Sequence, residues 1–362
     1  MNRKIIGLIF LLSALGVSAQ TTDSARLDYT AIFKHSMGAD VASALKLLPD
    51  DTANLSQRDR DFVENFRKRF AFEYDKSDFR EKHSSEIDSL LYIFADYWRT
   101  SLLNPGKNMD AILWRNVVAY FQRTMQPEDG KRINFANRNH YFRKYISSKN
   151  LYSINRIGKT GRLLDLKVWK NQTDTIFTID LYDEQLQTYV VLMDNFITLG
   201  WMEYATLGQR HSGGWAKREG VFCVASVYDL ESENFSVNFL SHEGRHYNDY
   251  KQFRSPGLRG TDLEYRAKLT QLSLAQTTLF GLLGHFIAFS NKTSADPHQR
   301  ANYAVISNLS KALFNSDFES DIEQWKTKSV EEINQAAYSA LKANTKKLSR
   351  WHTRFFRQVQ RI

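Results

Sequence analysis

Two histidines stand four residues apart in Ser241-His242-Glu243-Gly244-Arg245-His246, with a glutamate directly after the first. On a helix, residues four apart share a face, with Cβ atoms about 5–6 Å apart. Both imidazoles then reach a single tetrahedral Zn2+ ion at about 2.0–2.1 Å. Glu243 stands beside such a site, where a carboxylate takes a proton from water and returns it to a leaving amine. The spacing therefore points to hydrolysis, with His242 and His246 as metal ligands and Glu243 as proton carrier. A solvated helix face that carries H-E-x-x-H by chance is the competing account.

The neighbouring residues favour a seated helix. Phe235, Phe239, Leu240 and Tyr250 supply apolar anchors, Asn234 or Ser236 can cap the start, and the pattern predicts a helix over 236–252. Gly244 costs about 1 kcal/mol of helix stability relative to alanine, and its small size lets another element pack close. Ser255-Pro256-Gly257 breaks the chain, and a long helix is predicted from Asp262 to Phe289. A strand over Val221–Tyr228 precedes the motif.

After 17 further residues comes Glu264-Tyr265-Arg266-Ala267. With it, the stretch from Val221 to Gln271 resembles the zincin metallopeptidases, specifically the gluzincin type. The resemblance implies a zincin-like fold and peptidase activity, with Glu264 as third zinc ligand and Ala267 as the small residue three positions later. It also implies that the motif helix packs beneath a small sheet. An edge strand, Val221–Tyr228, would bind an extended substrate by strand addition. Two other readings of the region stay open. Thr261-x-x-Glu264 is also a capping box, and Asp262 is an alternative acidic ligand one position off the usual spacing. A metzincin extension is absent, because Asp249 and Gln252 occupy the required positions.

Zinc hydrolysis also needs a donor for the developing oxyanion. Tyr250, His285, His298 and Tyr303 are the candidates. The resemblance favours a position just beyond the long helix, so His298 and Tyr303 are assigned with Glu243 as catalytic residues. His285, inside the apolar run 279–289, reads as a core histidine, and His211 as part of a loop turn. Asp249 either accepts from the second nitrogen of His246 or sits exposed on the helix.

Three zones position these residues. Helical periodicity runs from Asp23 to Lys144, clearest over 84–103 and 111–121. Alternating, β-branched segments at 164–168, 175–181, 188–193 and 221–228 imply four or five mostly antiparallel strands. Helices return from Asn234. The fold class is α+β: a helical N-terminal region at 20–150, a β-rich region at 151–232 and a helical metal-site region at 233–362, the last two forming one catalytic unit.

Residues 1–19 read as a signal peptide, with Arg3 and Lys4 before an apolar run, Val17-Ser18-Ala19 as cleavage site and Gln20 as the first mature residue. The expected location is exported, periplasmic or secreted. The lone Cys223 rules out an internal disulfide and, in its apolar run, reads as a buried small residue. The formal charge of +9 falls to +7 without Arg3 and Lys4. The excess gathers near the C-terminus, where Leu348, Trp351, Phe355 and Val359 form an amphipathic stripe expected to dock on the protein's own core. Association of that basic helix with an anionic envelope surface is the other reading. Export argues against nucleic acid, and a peptide or protein is the expected substrate. A zincin-like envelope scaffold that no longer does chemistry is the alternative function.

Overall fold

The period of the apolar residues changes near position 150 and changes back after 230. The architecture follows it: helices, then strands, then helices, an α+β chain. The computed structural model describes residues 26–71, 87–128, 130–154, 156–182, 184–253 and 258–359, with no side chains from 350 onward. The signal segment 1–19, the start of the first long helix at Ser84, the breaker Ser255-Pro256-Gly257 and the side chains of Trp351, Phe355 and Val359 lie outside the described residues. No helix among the described residues is long and apolar enough to cross a membrane.

The chain forms two compact units. One runs to Gln172 and adds Asp194–Ser212; the other holds Thr173–Met193 and the chain from Gly213 onward. The first contains helices α1 (Tyr29–Met37), α2 (Val41–Leu45), α3 (Gln57–Phe70), α4 (Asp88–Leu103), α5 (Asp110–Thr124) and α6 (Arg138–Ser148). Side chains of Asp28, Asp40 and Ser56 cap the first three by accepting a backbone N–H. Leu90, Leu91, Phe94 and Trp98 form the buried stripe of α4, and Trp98 donates its indole N–H to the Leu164 carbonyl. Strand β1 (Tyr152–Ser153) pairs antiparallel with the start of β4 (Val168–Asp180). A separate hairpin joins β2 (Gly158–Thr160) to β3 (Leu163–Asp165), and α7 (Trp201–Ala205) completes this unit.

In the second unit β4 neighbours β5 (Gln185–Thr198), followed by β7 (Gly220–Val224) and then β6 (Gly214–Lys217). The β5–β7 pair is parallel, with Val190 opposite Val221, whereas β6–β7 is antiparallel, with Trp215 opposite Phe222. The edge strand is therefore β6 and not Val221–Tyr228. The apolar segment at 221–224 is rich in buried residues because it lies between two partners, and it ends at Val224, where the chain turns through a short 3-10 segment.

Ile179, Leu181, Val190, Val221 and Cys223 of this sheet pack against Phe235, Phe239, Leu240 and Tyr247. Those residues come from a π-helical turn, Asn234–Ser241, and the helix it leads into, α8 (His242–Gln252). Ser232, rather than Asn234 or Ser236, accepts the first free amide through its hydroxyl. Gly244 meets the sheet most closely: a Cβ there would lie 2.8 Å from Cγ2 of Ile179.

The predicted helix over 262–289 is two helices, α9 (Gly260–Leu274) and α10 (Leu279–Ala288). Glu233 causes the break. Its carboxylate accepts the backbone N–H groups of Gln276, Thr277 and Thr278 and both threonine hydroxyls, so it caps α10 from a distant part of the chain. Beyond it come α11 (Pro297–Phe314), α12 (Ile322–Trp325) and α13 (Val330–Val359). Leu269, Leu272, Leu283, Phe286, Val305, Leu309, Trp325, Ile333 and Leu341 form their common core. The early turns of α13 dock on that core through Ile333, Ala337 and Leu341. His285 is exposed on α10, its ring against Phe289, and is not a core histidine, because Leu279, Leu283 and Phe286 take the inward face.

Two measurements check these contacts. Gly244→Val forces the helix from the sheet and is expected to cost about 1–3 kcal/mol in urea denaturation, as overpacking does. A change under about 0.5 kcal/mol would mean the helix is not seated there. Burial pushes the Glu233 carboxyl up, but five hydrogen bonds outweigh it and hold the group at about 2. A lowered folded-state value stabilises above the ordinary 4.5 and fades as pH falls toward 2. Glu233→Gln should therefore be less stable than wild type at neutral pH, with the gap narrowing on acidification through this window.

Candidate metal centre

The motif is pinned to the end of β4 on three sides. Ser241 Oγ lies 2.7 Å from the Asp180 carbonyl, Gly244 rests on Ile179, and Arg245 donates from Nη2 to the Leu181 carbonyl at 3.0 Å. Arg245 is fully buried and also donates to Thr270 of α9 at 3.0 Å. The two variable positions of H-E-x-x-H thus fasten α8 to the strand and to the next helix, which leaves the two histidines on the face toward α9.

Glu264 stands on α9 in front of them. His246 Nε2 lies 3.3 Å from its Oε1, and His242 Nε2 lies 3.5 Å from its Oε2. The two Nε2 atoms are 3.1 Å apart. In a tetrahedron with bonds of about 2.0–2.1 Å, ligand atoms sit about 3.3–3.4 Å from one another. The nitrogen–nitrogen distance is close to that spacing, the two carboxylate contacts run to different oxygens of Glu264, and one ligand atom from each residue lies within 4.8 Å of the others, so His242, His246 and Glu264 could hold one metal ion. Glu264 Oε2 is buried and lies 3.0 Å from His298 Nδ1 as well as 3.5 Å from His242 Nε2. Two imidazoles and one carboxylate are a donor set of the kind divalent transition metals take.

The electrostatics agree. Burial alone would push the Glu264 carboxyl up, but the imidazoles of His242, His246 and His298 outweigh it and hold it well below the usual carboxylate range. Burial lowers His246, yet Glu264, with the charges of Glu243 and Asp249, brings its net direction up. Glu243 is half-buried and next to His242; burial first and the Glu243 charge second raise the Cys223 thiol to about 12. Cys223 is buried and stays a thiol, as its apolar setting predicts.

His298 comes to this centre. Asp296 caps α11 by accepting the His298 backbone N–H at 2.9 Å, and Pro297 takes the first helical position. The His298 ring, largely exposed, places Nδ1 3.0 Å from Glu264 Oε2. Tyr303 points elsewhere and stacks on Phe318 at 5.3 Å. Five residues on a helix turn about 140°, so the two cannot serve the same face. Tyr250 stays near the centre, its ring 6.4 Å from that of His246, with burial and then Glu243, Glu264 and Asp249 raising its phenol. His211 makes a local contact, Nδ1 3.2 Å from the Ser212 carbonyl oxygen.

Glu264 faces the imidazoles rather than the Thr261 backbone amide, and Asp262, the alternative acidic ligand, has another partner. Thr261 accepts from Arg300 at 3.0 Å, and Asp262 pairs with the exposed Arg259 at 2.9 Å. Asp249 is neither exposed nor bonded to His246. It is fully buried and receives both Nε and Nη2 of Arg266, at 2.7 and 2.9 Å. Arg266 also donates to Asn344 and Thr345 of α13.

Sequence reasoning missed Gln271. Its Oε1 lies 2.8 Å from His242 Nδ1, and its Nε2 donates to the Asn238 carbonyl at 3.1 Å. The available signal was its position, seven residues after Glu264 and so two turns along the same face. Lys268 was also missed; it is buried against Phe286, and burial lowers it while Glu264 and Asp296 oppose that.

Comparison with family models, with curated proteins and with solved structures finds no match to this chain in any of the three.

Arg266→Met strands the Asp249 carboxylate in the interior and should cost about 3–5 kcal/mol, whereas Asp249→Leu combined with Arg266→Met should recover most of it. Equal losses in the single and double variants would show that the pair is not the tie between α8 and α9.

Proposed function

We propose that this protein is a zinc-dependent hydrolase that cleaves peptide bonds, with a zincin-like arrangement of its motif helix and sheet. The observation that supports the reading is the convergence of His242, His246 and Glu264 on one place, with one ligand atom from each within 4.8 Å of the others and Glu243 on the intervening turn. A zinc ion there would act as a Lewis acid, lowering the pKa of a coordinated water and polarising a carbonyl.

The chain's own groups then do the proton work. Glu243 accepts a proton as the water oxygen bonds to the carbonyl carbon. It passes the proton to the amide nitrogen as the C–N bond breaks, leaving a carboxylate and an amine. His298, with Nδ1 3.0 Å from Glu264 at the exposed rim, would serve the developing oxyanion as an imidazolium, one N–H on Glu264 and the second directed to the oxyanion. Strand β6 packs beside α8 and ends the strand order in this unit, which places the end of the sheet next to the motif helix.

Metal analysis and a peptide-library assay test this together. Wild type should carry one zinc per chain after purification in zinc-supplemented buffer. Glu264→Ala should lose it. Glu243→Gln should keep it while turnover falls by about 10²–10⁴. A wild-type chain without zinc ends the proposal, and zinc bound with no turnover of any peptide makes the protein a binding scaffold.

A further inference from the structure

The Gln271 amide has one chemically consistent orientation. A backbone carbonyl only accepts, so the end 3.1 Å from the Asn238 carbonyl oxygen must be the NH2 group. The opposite orientation would set two oxygens against each other at that distance with no hydrogen between them. Oε1 therefore faces His242 Nδ1 at 2.8 Å, and an amide oxygen can only accept. The proton of the neutral His242 ring must lie on Nδ1, which leaves Nε2 bare. Nε2 is the atom 3.1 Å from His246 Nε2 and 3.5 Å from Glu264 Oε2.

We infer that Gln271 is a positioning residue: it fixes His242 as the Nδ1–H tautomer and turns its free lone pair to the point shared with His246 and Glu264. The lock has a second part in the backbone. Asn238 belongs to the π-helical turn that leads directly into His242, and its carbonyl faces α9 rather than only the helix axis. Turns of this width recur where a backbone group is needed outside the helix. Gln271 is itself buried, so a loss of either partner is not made good by water. One face of α9 thus carries a ligand, Glu264, and, two turns on, the residue that orients another. Hydrogen bonds of this kind to ligating histidines are worth about 10–100-fold in metal affinity. That consequence rests on the proposed zinc site; the tautomer does not.

The test uses the full chain, metal-free, with isotope-labelled histidine nitrogens. NMR at about two units above the ordinary imidazole value reads the neutral tautomer, and the spectrum of His242→Gln assigns the signal. Wild type should show His242 protonated at Nδ1 and bare at Nε2. Gln271→Met, close in shape but without an acceptor, should shift the population toward Nε2–H and weaken zinc binding about 10–100-fold in chelator competition. Gln271→Glu retains the acceptor at His242 but loses the donor to the Asn238 carbonyl, so it should keep the Nδ1–H form with only part of the affinity. Protonation at Nε2 in wild type overturns the inference. An unchanged tautomer in a folded Gln271→Met overturns it as well. If the tautomer behaves as expected but wild type binds no zinc, the hydrolase reading fails while the role of Gln271 stands.

Discussion

The crossing of α8 and α9 is held by a bidentate ion pair from which water is excluded. Arg266 and Asp249 are both fully buried and meet through two short hydrogen bonds. Removing two such charges from water costs several kcal/mol per ion, and only a well-aligned pair with its remaining donors satisfied offsets that. Asn344 and Thr345 of α13 satisfy the third nitrogen. A pair of this kind is a weak source of stability and an effective device for register. Arg266 lies two residues past Glu264, and Asp249 three past His246. A slip of one residue in either helix moves a donor atom by about 1.5 Å, whereas metal–ligand distances tolerate about 0.2 Å.

Around that crossing, each segment that carries a candidate ligand is tied to a second element. Ser241 and Arg245 bond the end of β4, Gln271 reaches from α9 to His242 and Asn238, and Asp296 fixes the start of α11 beneath His298. Gly244 contributes by lacking a side chain, since the helix could not otherwise approach Ile179. The outcome is electrostatically unusual. Two imidazole nitrogens meet at 3.1 Å, one as donor and the other as acceptor, beside a carboxylate that three imidazoles surround. In a largely buried site, that carboxylate would also attract a cation placed among them.

How much was legible depended on the range of the interaction. The positions of His242, Glu243 and His246 on one short helix followed from spacing, because four residues make about one turn in any helix. Burial of Cys223 and the anchoring role of Phe235 and Phe239 followed from apolar runs. The break at 275–278 did not follow, because its cause, Glu233, lies about forty positions upstream and no local propensity registers it. Tyr303 looked equivalent to His298 only while the helix that carries both was unplaced; five residues of rotation send their side chains in different directions. Asp249 read as a surface residue or a partner of His246 because its true partner, Arg266, sits on another helix.

The amino-acid sequence by itself determined the α+β succession of elements and the local motif, since periodicity and i,i+4 spacing are properties of the backbone. Tertiary structure alone decided that β6 is the sheet edge, that Glu264 turns to the imidazoles rather than capping its own helix, and that Gln271 stands behind His242. These are contacts between segments far apart in the chain. Their geometry is set by which faces pack and by which buried polar groups must find partners, and a linear pattern encodes neither.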